Sequence, residues 1–299
     1  MNVKNKEIVC FGEVLWDVLP TQSIAGGAPM NVARHFERLG MDVTLVSRVG
    51  SDQKGVKLTN FLNKSGLNTE FVQVDDHLPT SEVLVKLDEH NTATYEIVEP
   101  VAWDNIKLHD NLVKKVVKSG IFVYGTLAAR SEESRKTLKE LLKYNNLKVM
   151  DINLRPPFDT EEIVKEFLAK ADIAKLNIEE LDQIAKWDGF ISMDEDDRIK
   201  KLYEQFGIDL LIVTYGADGA KVFDGKKIYH HPGYKVKTAD SVGAGDAFLS
   251  GFMYKMLNNS SVEEALDYAS ATGALVASRD GATPDYTFED IEEIKKMKK

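Results

Sequence analysis

The sequence predicts a doubly wound α/β protein: a mainly parallel sheet flanked by helices, with a small β-strand lid. Three observations predict it. Short runs rich in Val, Ile, Leu and Phe alternate with amphipathic stretches, which implies parallel strands joined by crossover helices. One segment, 69–99, breaks the rhythm with strand-like runs and no helix between them. With 299 residues, 43% of them hydrophobic, the chain can bury a sizeable core.

The apolar runs 7–12, 42–49, 121–125, 148–152, 173–176 and 209–214 read as strands, mostly bounded by Gly or polar residues. Helical spacing marks 29–39, 56–62, 132–144, 161–169 and 178–185. Within the third of these, Leu138, Leu141 and Leu142 share one face while Lys139, Glu140 and Lys143 face water. The segment 69–99 holds strand-like runs at 70–74, 81–87 and 92–98, with Asp88-Glu89-His90-Asn91 as a hairpin turn. Along the middle run, Val83 and Val85 point one way and Glu82, Leu84 and Lys86 the other. These strands make either a flap over the main sheet or an antiparallel edge added to it. The flap is the expectation, with 14–25 as a further candidate piece. Two long apolar helices, 247–257 and 262–277, and a charged one, 288–297, close a single unit spanning 1–299.

Charge narrows the function classes. Lys and Arg number 38 against 48 Asp and Glu, a formal net charge of -10. That balance argues against nucleic acid or an anionic membrane as partner, since both need clustered positive charge. A single cysteine, Cys10, gives no internal disulfide and fits a reducing compartment. The first residues, Met1 to Glu7, lack the apolar core of a signal peptide, so a cytoplasmic protein is expected.

Two motifs carry chemistry. In Asp240-Ser241-Val242-Gly243-Ala244-Gly245-Asp246, glycines stand where the backbone enters an apolar helix. Unpaired N–H groups there, with the helix dipole, favour developing negative charge. Asp246, in the first turn, has an expected pKa near ~4 and can take a proton from a hydroxyl attacking a phosphoryl group. Ordinary capping accounts for such a cluster when it stands alone. The second motif, Gly26-Gly27-Ala28-Pro29-Met30-Asn31-Val32-Ala33, is another glycine-rich helix entry, and Asn31 offers a donor and an acceptor to a polyol.

Together and in this order, the two motifs resemble the signatures of the ribokinase-like (phosphofructokinase-B type) carbohydrate kinases. Intermediate markers agree: Gly12 and Asp17 after the first strand, Asn177-Ile178-Glu179-Glu180, and Thr214-Tyr215-Gly216-Ala217-Asp218-Gly219. The resemblance covers nearly the whole chain and implies a ribokinase-like fold and ATP-dependent phosphorylation of a sugar hydroxyl. It implies that Asp17, Gly26, Gly27 and Asn31 hold the sugar, that Asp246 is the base, and that Gly243, Ala244 and Gly245 form the anion hole. By the same resemblance Asn177 lies near the phosphates, and Thr214, Gly216 and Gly219 lie along the nucleotide. Glu180 organises Mg2+ through water, and a monovalent cation, K+, sits near Asp240 and the loop 276–281. Family flaps often pair across a dimer, which makes a homodimer through the lid an expectation. The one departure is Ser241, where the family usually has Thr; the hydroxyl is kept.

Within the family, Gly26-Gly27-Ala28-Pro29, Tyr124-Gly125-Thr126-Leu127-Ala128 and Asp151-Ile152-Asn153-Leu154-Arg155-Pro156 look most like fructokinases. Arg155 follows a strand end, where ligands of open α/β sheets collect, and can pair with a phosphoryl group or an acidic substrate. The Asp-x-Asn-x-Arg stretch is shared with ketodeoxygluconate kinases, which stay open as an alternative, as do nucleoside kinases. A sugar-binding regulator that lost the chemistry is the non-enzyme alternative.

Other constellations fail. No Gly-x4-Gly-Lys-Ser/Thr loop exists, and no Gly-x-Gly-x-x-Gly follows the first strand. His230 and His231 are adjacent and point to opposite faces of a strand, against a shared metal. Cys10 reads as core, and the 295–299 lysines as a solvated tail.

Overall fold

The computed structural model describes residues 5–19, 22–87 and 93–297. The expected turn at 88–91, residues 1–4 of the expected N-terminal segment and the last two lysines lie outside them.

The chain opens with β1 (Ile8–Phe11), β2 (Leu15–Val18), β3 (Ser23–Gly26) and α1 (Ala28–Arg38), then β4 (Val43–Gly50) and α2 (Gln53–Lys64). Next come β5 (Val72–Asp75), β6 (Ser81–Leu87), β7 (Ala93–Ile97), α3 (Asp110–Lys118) and β8 (Ile121–Gly125). The helix–strand rhythm then resumes with α4 (Glu132–Leu141), β9 (Leu147–Asp151), α5 (Glu161–Leu168), β10 (Ile173–Asn177) and α6 (Ile178–Trp187). After α7 (Glu195–Phe206) follow β11 (Leu210–Thr214), β12 (Ala220–Phe223) and β13 (Ile228–His231). The helices α8 (Ala244–Leu257), α9 (Val262–Ala277) and α10 (Phe288–Lys295) finish the chain.

Nine strands form the main sheet, in the order β13-β12-β11-β10-β9-β8-β1-β4-β5. All its pairings from β11 to β5 are parallel, and β12 and β13 add an antiparallel edge. A parallel strand covered on both faces must be apolar throughout, and β1 shows it. Ile8 and Cys10 pack into one layer with Met30, Phe36 and Phe252; Val9 and Phe11 pack into the other with Trp103 and Phe122. Phe252 on α8 is wholly buried, and burying such a ring stabilises by about 1.5–3 kcal/mol.

From β1 the chain steps outward through β4 to β5, then returns to β8 on the opposite side of β1. The winding therefore reverses between β1 and β8, and ligands of open sheets collect outside the strand ends at such a reversal.

A separate four-stranded sheet, β3-β2-β6-β7, stands beside this end. Its β2 and β3 pair antiparallel, β6 and β7 pair antiparallel, and β2 runs parallel to β6. The indole N–H of Trp16 donates to Lys54 O at 3.2 Å, and Lys54 pairs with Glu82, so α2 anchors the flap. One expectation is corrected here. The run 70–74 is not a flap strand: β5 pairs with β4 (Ser47 with Val72, Gly50 with Asp75) as an edge of the main sheet. Buried Asp75 fastens it there, in an ion pair with Arg48 (Nε to Oδ2 2.8 Å) and accepting from Asn105 Nδ2 at 2.8 Å. Among the described residues no helix is long and apolar enough to cross a membrane.

Candidate active site

Residues at the C-terminal ends of β1, β8, β9, β10 and β11 face a cleft that the N-termini of α1 and α8 also enter. Gly243 caps α8 with φ 78°, and a β-carbon there would lie 2.2 Å from Ala282 O. Only glycine fits that left-handed, crowded corner. Ala244 N–H reaches back to Ser241 O at 3.3 Å, whereas the N–H groups of Gly245 and Asp246 find no acceptor among the described residues. No side chain caps the helix. The end of α8 is thus an open anion site.

Asp246 stands half-buried in this first turn, and Asn31 Nδ2 donates to its Oδ2 at 2.8 Å. The amide that the sequence offered to a sugar therefore orients the carboxylate as well; its own Oδ1 is buried and free of partners. Burial, then the nearby Asp151 carboxylate, push the Asp246 carboxyl up to about 7, while Lys175, Asn31 and Arg155 pull it back. This corrects the expectation of an ordinary carboxylate near ~4. A proton acceptor poised near neutrality is better matched to general-base work than an ordinary carboxylate.

On the flap side, Asp17 on β2 is half-buried, and burial pushes it up to about 6 against the pull of Arg155. Gly26, on the neighbouring β3, leaves room for that carboxylate: a β-carbon there would come 2.3 Å from Asp17 Oδ2. Gly27 caps α1 at φ 113°, tight against the backbone of Glu13. Arg155 is exposed, donates to Leu154 O at 2.8 Å, and its charge reaches Glu13, Asp17 and Asp246. Its loop is steadied by Arg130, whose guanidinium lies 4.6 Å from the Phe158 ring and pairs with Asp104 at 2.7 Å. Arg130 also donates to Val98 O at 2.9 Å, tying that loop to the exit from the flap.

The other half of the cleft starts at β10 and β11, where Asn177 and Thr214 sit side by side in register. Asn177 and Glu180 close a capping box: each side chain accepts the other's backbone N–H, both at 2.8 Å. Glu180 Oε1 also accepts from Leu154 N at 2.7 Å. Each Glu180 oxygen thereby satisfies one N–H and keeps a lone pair, which fits outer-sphere contact with a hydrated magnesium ion better than direct ligation. Among the described residues no group of three or more His, Cys, Asp or Glu could ligate a metal directly. Gly216 and Gly219 stand apart from the Asp246 cluster, on the short turn after β11. Asp240 accepts from Val242 N at 3.0 Å and Gly281 N at 3.3 Å, binding the approach to α8 to the 278–283 loop.

Residues 3–288 match the family model described as pfkB family carbohydrate kinase. The chain belongs to that family. It is a carbohydrate kinase, a phosphotransferase with an alcohol group as acceptor. It is 31% identical over 327 residues to "Probable fructokinase-5" of Arabidopsis thaliana, with 97% of this chain and 98% of that protein covered. The fructokinase of Xylella fastidiosa with bound ATP superposes with a TM-score of 0.85 at 26% identity, covering 97% of this chain and 98% of that one. The fructokinase of Vibrio cholerae O395 bound to fructose, ADP and calcium shares the fold, with TM-score 0.83, 23% identity and 97% and 99% covered.

Two residues of this carbohydrate kinase's cleft, Glu13 and Lys175, escaped the motif reading, and Asp151 entered it only as part of the Asp-x-Asn-x-Arg stretch. Glu13, 3% exposed, accepts from Ala28 N at 3.2 Å and plugs the start of α1. Lys175 and Asp151 form a buried ion pair at 2.8 Å beneath α8. The signals were an acid directly after a buried strand and a lysine inside the apolar run Ile173-Ala174-Lys175-Leu176. Other readings are simpler. Cys10 is buried, which pushes its thiol up and out of nucleophile range. His231 turns inward to Asp267 Oδ1 at 3.1 Å while His230 faces out.

Proposed function

We propose that the chain is an ATP-dependent fructokinase. The observation that carries the reading is Asp246, held by Asn31 at 2.8 Å in the uncapped first turn of α8. Asp246 acts as the catalytic base. It takes the proton from a fructose hydroxyl as that oxygen bonds to the γ-phosphorus, while the bond to the bridging oxygen of ADP breaks. Backbone N–H groups of Gly243, Ala244 and Gly245 hold the charge on the transferring oxygens, which is where phosphoryl transfer most needs help. Asp17, Gly26, Gly27 and Asn31 hold the sugar under the flap, and Arg155 reaches the phosphoryl group from the opposite loop. Asn177, Thr214, Gly216 and Gly219 line the nucleotide. Glu180 would hold magnesium through a water, and the ion would supply positive charge to the phosphate oxygens. Asp240 and the 276–281 loop would hold a potassium ion, whose charge would support the anion hole.

Fructose as acceptor is favoured by the fructokinases among the relatives. Exposed Arg155, which forms no ion pair among the described residues, favours ketodeoxygluconate as the second reading, since the substrate's carboxylate would pair there. Assaying ADP release with fructose, ketodeoxygluconate, ribose and adenosine decides between them. Fructose should give the highest kcat/KM; a clear win for another acceptor sinks the fructose assignment, and no sugar-dependent release sinks the kinase mechanism. The same reading places the enzyme in the cytoplasm, as a homodimer joined through its flaps. A monomeric mass by light scattering would remove the dimer.

A further inference from the structure

Beneath the first turn of α8 lies a lysine that the phosphoryl-transfer scheme does not use. Lys175 Nζ donates to both oxygens of Asp151, at 2.9 and 2.8 Å, and the two residues are 7% and 5% exposed. They come from adjacent strands, β10 and β9. The ammonium is pressed against α8 itself: a β-carbon on Gly245 would lie 3.3 Å from Lys175 Nζ. Glycine at 245 thus does more than shape the anion hole, because a β-carbon there would crowd the ammonium and force a shift of a few tenths of an ångström.

A buried ion pair is a poor device for stability, since desolvating both charges offsets much of their attraction. This pair sits where charge matters for the reaction. Burial favours the neutral amine, yet Asp151, then Asp246 and Glu180, carry the Lys175 pKa above the ordinary lysine value. The ammonium is therefore charged at every working pH. The charged groups facing Asp246 are Asp151 on β9, Lys175 on β10 and Arg155 on the loop after β9, with Asn31 of α1 as hydrogen-bond donor. Glu180 of α6 faces Lys175 from the nucleotide side.

We propose that the Asp151–Lys175 pair is a positioning element of the reaction, holding two opposed charges under α8 that set the protonation of Asp246. The inference rests on Asp246 being the base and deepens that reading. Asp151 acts to keep the proton on Asp246, and Lys175 acts to release it. Of the two, the Asp151 effect is the larger.

The test is the pH dependence of kcat/KM for the sugar. With the Asp246 carboxyl near 7, kcat/KM in the native enzyme should fall tenfold per pH unit below about 7, because the protonated carboxyl cannot accept a proton. Asp151→Asn should move this acid limb to lower pH by about one pH unit, and Lys175→Met should move it to higher pH by a smaller amount. The double variant should fall below the native limb, and it keeps the test valid if Lys175→Met fails to fold around an unpaired Asp151. Loss of stability or of kcat with an unmoved limb in Asp151→Asn and in the double variant would overturn the proposal. Asp246→Asn separates the two levels. If that variant stays active, the base assignment itself is wrong; if it is inactive and the limb stays put in the others, only the role of the pair is wrong.

Discussion

At the start of α1, Gly27 at φ 113° leads into Ala28, whose N–H is taken by the buried Glu13 carboxylate at 3.2 Å. At the start of α8, Gly243 at φ 78° leads into Gly245 and Asp246, whose N–H groups find no acceptor among the described residues. The two helices touch, through Asn31 to Asp246 at 2.8 Å and Ser250 Oγ to Val32 O at 3.2 Å. In sequence both are glycine-marked helix entries. The difference lies in what fills the partial positive charge at each end. The protein supplies α1 with a hydrogen-bond acceptor of its own, whereas α8 waits for an anion from outside. An anionic phosphoryl group is thereby directed to one of two neighbouring helix ends, and a chain of net charge -10 can hold it without a basic surface.

Substitutions can break this comparison. The largest effect should come from Asp246→Asn, which removes the base at the open end. Turnover should drop by roughly 10²–10⁴-fold, the range of general-base losses, while nucleotide affinity measured by titration calorimetry stays near native. Gly243→Ala should come next. It forces an unfavourable φ and meets Ala282 O, so thermal melts should show a loss of roughly 1–3 kcal/mol. Turnover should approach the ~100-fold loss that removing one oxyanion donor causes. Gly27→Ala, with a similar clash against Glu13 O, should lose comparable stability but express it in the sugar KM; equal kcat losses in both would erase the distinction. Glu13→Gln should have the smallest effect, since the amide oxygen still accepts from Ala28. Stability should change by under about 1 kcal/mol, and turnover by less than about tenfold. A larger drop in turnover would mean that the plugged end takes part in the chemistry.

Much of this was legible in the residues. Strand and helix alternation gave the parallel core, with the boundaries of the expected elements shifted by at most three residues, and the two glycine motifs marked the helix starts that meet in the cleft. The short strands were harder. β2, β3, β12 and β13 have four residues each, too few to show a period against the background. The run 70–74 read correctly as a strand and wrongly as flap, because its partner β4 lies 25 residues earlier in the register (Ser47 with Val72). Asn31 was visible as a polar residue in a first turn; that it points at Asp246, 215 positions away, was not.

The sequence by itself determined which segments become strands and helices, and where backbone could approach a phosphate, because hydrophobic period and glycine are local properties. Tertiary structure alone decided the electrostatics. Asp246 titrates near 7 because the fold buries it and sets Asp151 beside it, with Lys175 partly compensating. Field strength depends on distance and burial, and the chain brings those groups from three elements almost a hundred residues apart.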